Sequence, residues 1–425
     1  MKIAAEMTIE IGEGKVPSVI DLLCANSCEI GRMTLTQKTG NVSLYNFNII
    51  YSDSLQFRRV IAFFNDENNE CRLVSVKNYF DEMVNGGFIT VAGKMKIDNI
   101  EDYQMNVLGT GEIIREKIES SDDPRSFSGI GRAAALFSGV IDRSGKTGKR
   151  IYHLHSDAEL DAAVLQRFTG MNGYPVVARF DLVEDVVKFL KSIEPGFSSM
   201  RLEHIDDDDS MAVYDQILQA LNIPVISKKY DEIPVCILAA VLKLAAKHRF
   251  RLKDCNVGFI GLDVSAIRCA GLLRKAGCMR VLGFDNNEKS MLHFEKESGL
   301  ATTAENIFSN ADIVVLMKNQ FTETDLVRMR PGLAVLSMLN DSAAESVVSQ
   351  RKGCRECVVG DWFDTAILYP GMLAGASGSE RTGFGDDVIL SLAEMLANEE
   401  AGGGRFFPDI FSGIHDRVSG CINGK

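Results

Sequence analysis

The sequence predicts an α/β protein that begins with a small two-layer sandwich and ends in a doubly wound parallel sheet. Strand and helix patterns alternate through residues 1–82 in the order βαββαβ, which is the order of a ferredoxin-like sandwich. From residue 241 onward, short and continuously apolar runs alternate with helical patterns. Such runs are typical of parallel strands that helices cover on both faces.

The first predicted domain comprises residues 1–82. Gly40 and Asn41 lie between its two central strand patterns and predict a hairpin turn there. Helical apolar spacing occurs before and after this hairpin. In chain order, the predicted elements are a strand at 3–11, a helix at 16–26, strands at 29–36 and 42–51, a helix at 54–64 and a strand at 71–76.

Two further domains are predicted, one at residues 83–240 and one at residues 241–425. The former is mixed and contains an amphipathic helix at 184–193, which Pro195 and Gly196 end. The latter has the strand–helix alternation of a Rossmann-type sheet. Its strands are predicted at 256–261, 280–284, 312–317 and 333–338.

Composition limits the functions to consider. The chain of 425 residues carries a formal net charge of −12, so it has no general attraction to nucleic acid or to an anionic membrane. No apolar run approaches the roughly 20 residues that span a bilayer, and the N-terminus is too polar for a secretory signal. Most of its ten cysteines lie in apolar contexts, which favours reduced thiols and a cytoplasmic location. Cys354 and Cys357 have no second pair to complete a zinc site, and we expect them to be reduced.

A strand–helix junction at residues 257–266 stands where a dinucleotide-binding loop is expected. Gly261 matches the first glycine of the G-x-G-x-x-G pattern, whereas Asp263 and Ala266 replace the second and third. Asp263 adds bulk and negative charge where the backbone normally approaches the pyrophosphate. Asp285 ends the next strand, as a ribose-binding carboxylate does. We therefore expect a Rossmann sheet that is kept for its shape, with NAD binding as the alternative.

Several segments, taken in order, resemble the malic enzyme family. PGFSSMRLEHI at 195–205 resembles the family's PGFGGINLEDI, and IPVISKKYDEI at 223–233 resembles IPVFHDDQHGT. YPGMLAGA at 369–376 resembles FPGIFRGA, and FPD at 407–409 resembles the start of IPDPFDPRV. The resemblance covers roughly residues 90–425.

The resemblance implies an enzyme that oxidises and decarboxylates malate to pyruvate with NAD(P) and Mg²⁺ or Mn²⁺. The family holds its metal with three carboxylates and uses a Lys base and a Tyr acid. Glu203 and His204 stand at the family's Glu-Asp pair of metal ligands, and Lys228 and Lys229 stand at the Asp-Asp pair that supplies the third. Such cations bind oxygen ligands, which two lysines do not provide. We therefore expect no divalent metal.

The positions of the catalytic groups are changed as well. Asp161 stands at the expected Lys, and Val107 stands at the expected Tyr. Asn340 matches the Asn of the family's LANP turn. With both catalytic positions replaced, the sequence assigns no catalytic residue.

These replacements favour a pseudoenzyme that keeps the malic enzyme shape, binds a small carboxylate or an amino-acid effector, and regulates or partners another enzyme. The alternative is a divergent NAD(P)-dependent malic enzyme, or a related oxidoreductase, with relocated catalytic groups. The first domain resembles an ACT domain, which some bacterial malic enzymes carry, and we expect it to pair with a second chain in a homo-oligomer. We also expect Lys228 and Lys229 to lie near Glu203, where they supply positive charge in place of a metal.

Overall fold

Inter-residue contacts divide the chain into two compact units, Met1–Thr90 and Val91–Lys425, which we refer to as the N-terminal unit and the C-terminal unit. The predicted boundaries after residues 82 and 240 remain predictions, and residue 240 lies within the helix Ile233–Lys247. The computed structural model describes residues 3–51, 54–66, 71–78, 89, 97–109, 114–122, 125–142, 148–205, 210–297, 299–339, 354–358, 364–377, 379, 381–402 and 404–424.

The N-terminal unit has the predicted βαββαβ order. Its strands form an antiparallel sheet, and alternate residues of the first strand, such as Met7 and Ile9, pack against Leu23 and Phe57 of the two helices, because successive side chains of a strand point to opposite faces. The elements are β1 (Ile3–Gly12), α1 (Val16–Ala25), β2 (Cys28–Thr39), β3 (Val42–Tyr51), α2 (Ser54–Phe64) and β4 (Cys71–Asn78), with the sheet order β2-β3-β1-β4. Its likeness to an ACT domain and its pairing with a second chain remain predictions, and sedimentation of the full chain tests the pairing.

The first sheet of the C-terminal unit is parallel and carries Glu203 and His204. Its central strand is buried along almost its whole length, as expected where helices cover both faces. The strands are β5 (Ala133–Ile141), β6 (Asn172–Phe180), β7 (Ser199–Ile205) and β8 (Val225–Ser227), in the order β6-β5-β7-β8. The helices are α3 (Ile100–Leu108), α4 (Arg115–Ser120), α5 (Arg125–Ser128), α6 (Arg150–Thr169), α7 (Val183–Ile193) and α8 (Ser210–Ala220).

The second sheet of this unit is a six-stranded parallel sheet, which confirms the predicted Rossmann-type architecture. Its strands are β9 (Asn256–Ile260), β10 (Arg280–Phe284), β11 (Leu300–Ala301), β12 (Ile313–Leu316), β13 (Leu333–Ser337) and β14 (Cys354–Val358), in the order β11-β10-β9-β12-β13-β14. The helices are α9 (Ile233–Lys247), α10 (Val264–Lys275), α11 (Glu288–Lys296), α12 (Ala304–Asn310), α13 (Tyr369–Ala376), α14 (Asp386–Asn398) and α15 (Ile414–Ile422).

A π-helical turn at Lys228–Glu232 connects β8 to α9. The hydroxyl oxygen of Ser227 caps this turn by accepting a hydrogen bond from the backbone N–H of Tyr230. α9 is buried from Pro234 to Val241 and packs against α10 and α14. π-Helical turns are rare and frequently occur at functional sites. The apolar burial of α9 therefore fixes the side chains of the turn in place.

Within the part of the chain that the structure describes, every helix is too short or too polar to cross a bilayer.

Candidate functional site

Arg201 is the centre of a buried cluster of charged side chains in the C-terminal unit. It lies on β7 and is fully buried. Its Nε and Nη2 atoms donate to the two carboxylate oxygens of Glu232, at 2.6 and 2.9 Å. Its Nη1 atom donates to Asp161 Oδ2 at 2.5 Å and to Glu203 Oε1 at 3.0 Å. A guanidinium paired with a carboxylate through two parallel hydrogen bonds is among the strongest such arrangements in proteins.

The remaining N–H group and the flat face of this guanidinium are also occupied. Nη2 donates to Thr365 Oγ1 at 3.4 Å, so an acceptor is present for each of the five N–H donors of an arginine side chain. The Cζ atom of Arg201 lies 3.8 Å from the centroid of the Tyr369 ring, which adds a cation–π contact. The Tyr369 hydroxyl donates to the backbone carbonyl of Asp161 at 2.9 Å. The hydrogen-bonding capacity of Arg201 is therefore used within the protein.

The cluster joins four separate elements of the fold. Asp161 lies on α6, and Arg201 and Glu203 lie on β7. Glu232 ends the π-helical turn before α9, and Tyr369 begins α13. Because these elements are far apart in sequence, the guanidinium holds together parts of the chain that no local interaction would connect.

A β-bulge in β7 determines how the two predicted metal ligands are directed. Two consecutive residues of β5 pair with Leu202 and His204, which leaves Glu203 as the extra residue. Bulges re-aim the side chains around them. Glu203 points into the cluster, whereas His204 Nε2 lies 2.6 Å from Nη2 of Arg150. The two neighbouring side chains therefore have different partners.

The cluster holds more acidic than basic groups, and protonation of Glu203 offsets the difference. Burial raises the pKa of Glu203 to about 8, although the positive charges of Arg201 and Lys228 act against this rise. Glu203 therefore carries a proton at neutral pH. The charges of Asp161 and Glu232 then stand against those of Arg201 and Lys228, and the cluster is close to neutral.

A second buried carboxyl group, Asp231, lies next to the cluster. Its Oδ2 accepts hydrogen bonds from the Tyr214 hydroxyl at 2.6 Å and from the backbone N–H of Ser227 at 2.7 Å. Burial raises the pKa of Asp231 to about 7 against these two hydrogen bonds. Nearby, Glu203 and Lys229 line a cavity of about 20 Å³, which is the size of a single water site.

The structure brings together some of the predicted site residues and separates others. Asp161 and Glu203 share Arg201, Lys228 acts on Glu203 through its charge, and Lys229 lines the same small cavity. Arg201, a residue with no predicted role, also contacts Glu203. Val107 lies on α3 with 53% of its surface exposed, unlike the buried members of the cluster. Asn340 lies outside the described residues.

Sequence reasoning missed Arg201, Glu232 and Tyr369. One signal was present, because Arg201 lies between the apolar residues Met200 and Leu202. Charged side chains are almost never fully buried unless they are paired. This position therefore indicated a buried ion pair, although the sequence did not identify the partners.

The three carboxylates do not fit a divalent cation in this arrangement. Mg²⁺ and Mn²⁺ need oxygen atoms with lone pairs directed at one point, and here Asp161, Glu203 and Glu232 direct theirs at Arg201. In the described ranges, no group of three or more His, Cys, Asp or Glu side chains is arranged to hold a metal ion.

The predicted dinucleotide loop has the backbone of a Rossmann turn but a carboxylate at its helix end. Gly261 has a φ of +89°, and a Cβ atom there would lie 2.7 Å from the backbone N of Lys318, so only glycine is accommodated. Asp263 caps α10, and its Oδ1 accepts the backbone N–H of the buried Ala266 at 2.9 Å. An acidic cap is favourable at a helix N-terminus. It also places negative charge where a phosphate would otherwise bind.

Asp285, the predicted ribose ligand, is held by the loop itself. It accepts the backbone N–H groups of Leu262 at 2.7 Å and Asn287 at 2.8 Å, and the Lys318 ammonium lies 3.1 Å from its Oδ2. Burial alone would raise the pKa of Asp285, but these hydrogen bonds outweigh burial and lower it. The carboxylate therefore stabilises the loop whether or not a nucleotide is present.

The chain, with the two parallel sheets of its C-terminal unit, shares its α/β fold with malic enzymes of known structure. The chain is similar in fold to the crystal structure of a putative malic enzyme (malate oxidoreductase), with a TM-score of 0.68, 18% identity and coverage of 81% of this chain and 98% of that one. It is also similar to the NAD-dependent malic enzyme from Thermotoga maritima, with a TM-score of 0.66, 17% identity and coverage of 88% of this chain and all of that one.

Sequence relatives agree with this fold. The chain is 24% identical over 417 residues to NAD-dependent malic enzyme 1 of Bacillus subtilis (strain 168), covering 96% of this chain and 93% of the relative. It is 22% identical over 379 residues to the NAD-dependent malic enzyme of Geobacillus stearothermophilus, covering 83% and 79%. No protein-family model matches the chain. The relatives support the malic enzyme family, and the resemblance predicted from the motifs is confirmed.

The raised pKa of Glu203 generates a prediction about stability and pH. A carboxyl group whose folded pKa lies above its unfolded pKa stabilises the fold at low pH, and this contribution is lost as pH rises through the folded value. We expect Glu203→Gln to remove this loss of stability at high pH, because the glutamine side chain does not ionise. From about pH 5 to about pH 8.5, the free energy of unfolding of the variant should gain at least about 1.4 kcal/mol relative to the wild type, the equivalent of one pKa unit. Urea unfolding at a series of pH values measures the difference.

Glu394→Gln is the matched control, because Glu394 lies exposed on α14. Its unfolding free energy should follow that of the wild type across the same pH range. Parallel profiles for Glu203→Gln and the wild type would contradict a protonated Glu203.

The carboxylate of Asp263 generates a second prediction. Two like charges about 4 Å apart cost roughly 1–4 kcal/mol in a partly solvated site, so Asp263→Asn should bind NAD at least about tenfold more tightly than the wild type. Asp263→Gly should gain a similar factor while losing only about a few tenths of a kcal/mol of stability, because glycine is itself tolerated at a helix N-cap. Isothermal titration calorimetry with NAD compares the three proteins. Equal affinities would show that Asp263 does not oppose the nucleotide.

Proposed function

We propose that this protein is a malic-enzyme-like pseudoenzyme with a regulatory or small-carboxylate-binding role. The observation that carries the proposal is the guanidinium of Arg201, which is held by Asp161, Glu203 and Glu232 at 2.5–3.0 Å. The guanidinium of Arg201 therefore binds carboxylates of the kind that a divalent metal ion needs as ligands.

The chemistry of malate oxidation explains why this exchange argues against catalysis. A metal ion polarises the substrate carbonyl as a Lewis acid and offers open coordination positions. A guanidinium offers only N–H donors, and those of Arg201 already have acceptors within the protein. Arg201 therefore supports the architecture of the site and leaves no group to polarise a substrate.

The proton-transfer groups support the same proposal. Asp161 stands where the resemblance implies the Lys base, and it accepts a hydrogen bond from Arg201. This hydrogen bond occupies a carboxylate oxygen that would otherwise be available to a substrate. Val107 stands where the resemblance implies the Tyr acid, and its side chain has no proton to donate.

Basic side chains near Glu203 suggest what the site binds. Lys228 and Lys229 begin the π-helical turn beside Glu203, and Arg150 and His204 lie in contact at the end of β7. These side chains have the charge and hydrogen-bonding capacity to hold a small carboxylate without a metal. A ligand there would contact the turn that leads into α9.

The alternative is a divergent NAD(P)-dependent malic enzyme. Its support comes from the relatives, two of which are named NAD-dependent malic enzymes, and from the Rossmann-type sheet with Gly261 and Asp285 in their expected places. This alternative requires a base, an acid and a metal site formed by other residues.

Activity of the purified full chain distinguishes the two functions. We expect no malate-dependent reduction of NAD or NADP in the presence of Mn²⁺, because the cluster provides neither a Lewis acid nor a base. The assay follows absorbance of the reduced nicotinamide at saturating malate. A turnover number above about 1 s⁻¹, at the low end of ordinary enzymes, would support the divergent enzyme and contradict the pseudoenzyme.

Thermal unfolding of the same preparation provides the control for a folded, ligand-competent protein. Malate and other small dicarboxylates should raise the unfolding temperature of the wild type, because a ligand that binds only the folded state stabilises it. Lys229→Ala should lose this rise, whereas Lys253→Ala, which changes a lysine in the short 3-10 helix Leu252–Asp254, should keep it.

A further inference from the structure

Cys354 and Cys357 lie on β14, the edge strand of the Rossmann-type sheet. In a regular strand, two residues three positions apart point to opposite faces and lie about 10 Å apart, since the chain rises about 3.3 Å per residue. A disulfide needs Cα atoms separated by about 4.4–6.8 Å. A regular strand would therefore keep these thiols apart.

A β-bulge changes this geometry. Leu333 of β13 pairs with Cys354 and Val335 pairs with Cys357, so that only one residue of β13 stands opposite two residues of β14. Arg355 is the extra residue. The two cysteines consequently share the face of Leu333 and Val335, and both pack against the core cluster to which these residues belong. The Cα atoms of the two cysteines are therefore separated by about the distance between Leu333 and Val335, roughly 6.6 Å for two steps along a strand. This distance is within the range of a disulfide.

The thiols are in contact and differ from the buried cysteines of the same unit. A hydrogen bond with Cys357 is the main cause that lowers the pKa of Cys354 to about 7, and burial opposes it. By contrast, burial raises the pKa of Cys255 to about 12 and raises that of Cys236. Because the thiolate is the reactive form, Cys354 is the nucleophile among these four side chains.

Charged groups surround the pair and hold the strand. Glu356, between the two cysteines, accepts hydrogen bonds from Lys247 Nζ at 2.6 Å and His248 Nε2 at 2.9 Å, at the end of α9. Cys357 and Lys247, together with Arg405, line a cavity of about 700 Å³. This volume admits a small peptide-like reagent. Glu356 and Asp409 line the cavity as well, and they pair with Lys247 and Arg405.

We propose that Cys354 and Cys357 form a reversible dithiol–disulfide pair that exchanges with a low-molecular-weight disulfide. The Cys354 thiolate attacks one sulfur of the reagent, forms a mixed disulfide and releases one thiolate. The Cys357 thiolate then attacks the Cys354 sulfur, closes the internal disulfide and releases the second thiolate. The two cysteines lose two electrons and two protons, and the reagent disulfide is reduced to two thiols.

Peptide mapping of the native full chain tests this proposal. The protein is incubated with increasing ratios of oxidised to reduced glutathione, quenched with acid, alkylated and digested with trypsin, which cleaves after Arg355 between the two cysteines. We expect the peptides on either side of Arg355 to be recovered as one disulfide-linked species that reduction separates. Recovery of two alkylated peptides, or of glutathione mixed disulfides only, at ratios that oxidise a reference dithiol would overturn the proposal.

Two variants separate the roles of the cysteines. Cys357→Ser should stop at the mixed disulfide between Cys354 and glutathione, because the resolving thiol is absent. Cys421→Ser, which removes a half-buried cysteine of α15, should form the internal disulfide as the wild type does. Loss of the linked species in Cys421→Ser would assign the bond to a different pair and refute the proposed one.

Discussion

The burial of one guanidinium determines how the centre of the C-terminal unit is built. Removing a charged group from water is costly unless partners restore its hydrogen bonds. Arg201 is fully buried, so carboxylates from α6, β7 and the π-helical turn must converge on it. Truncating such a group leaves its partners as uncompensated buried charges, which typically costs about 3–5 kcal/mol. The relative positions of these elements therefore depend on this single side chain.

The same constraint explains the protonation of the cluster. One guanidinium does not balance three carboxylates, and the low dielectric of the interior makes the excess charge unfavourable. Burial raises the pKa of Glu203 to about 8, so a bound proton removes one of the two excess negative charges. The positive charge of Lys228, which also acts on Glu203, offsets the other. On the proposed function, the cluster is a permanent structural junction. The π-helical turn then serves to present Glu232 and the two lysines.

The sequence was informative about the fold because hydrophobic periodicity is a local property. The strand predicted at 256–261 is β9 at Asn256–Ile260, and the hairpin at Gly40 joins β2 to β3 as expected. The cluster was not predictable in this way, because residues 161, 201 and 232 meet only through the tertiary fold. Comparison with the motifs identified positions where expected groups are replaced. It gave no information about Arg201, because the motifs assign that position no role. The bulge that brings Cys354 and Cys357 to one face is likewise set by pairing with β13.

The most direct test of the central claim is a titration of the full chain with Mn²⁺ followed by electron paramagnetic resonance. Free aqueous Mn²⁺ gives a sharp six-line signal, which weakens when the ion is bound by a protein. If Arg201 serves as the permanent cation of the cluster, the signal should grow in proportion to added Mn²⁺ at micromolar protein, as it does in buffer. Loss of about one equivalent of signal per chain in the wild type, with recovery in Glu203→Gln, would mean that the carboxylates bind a metal and would contradict the account.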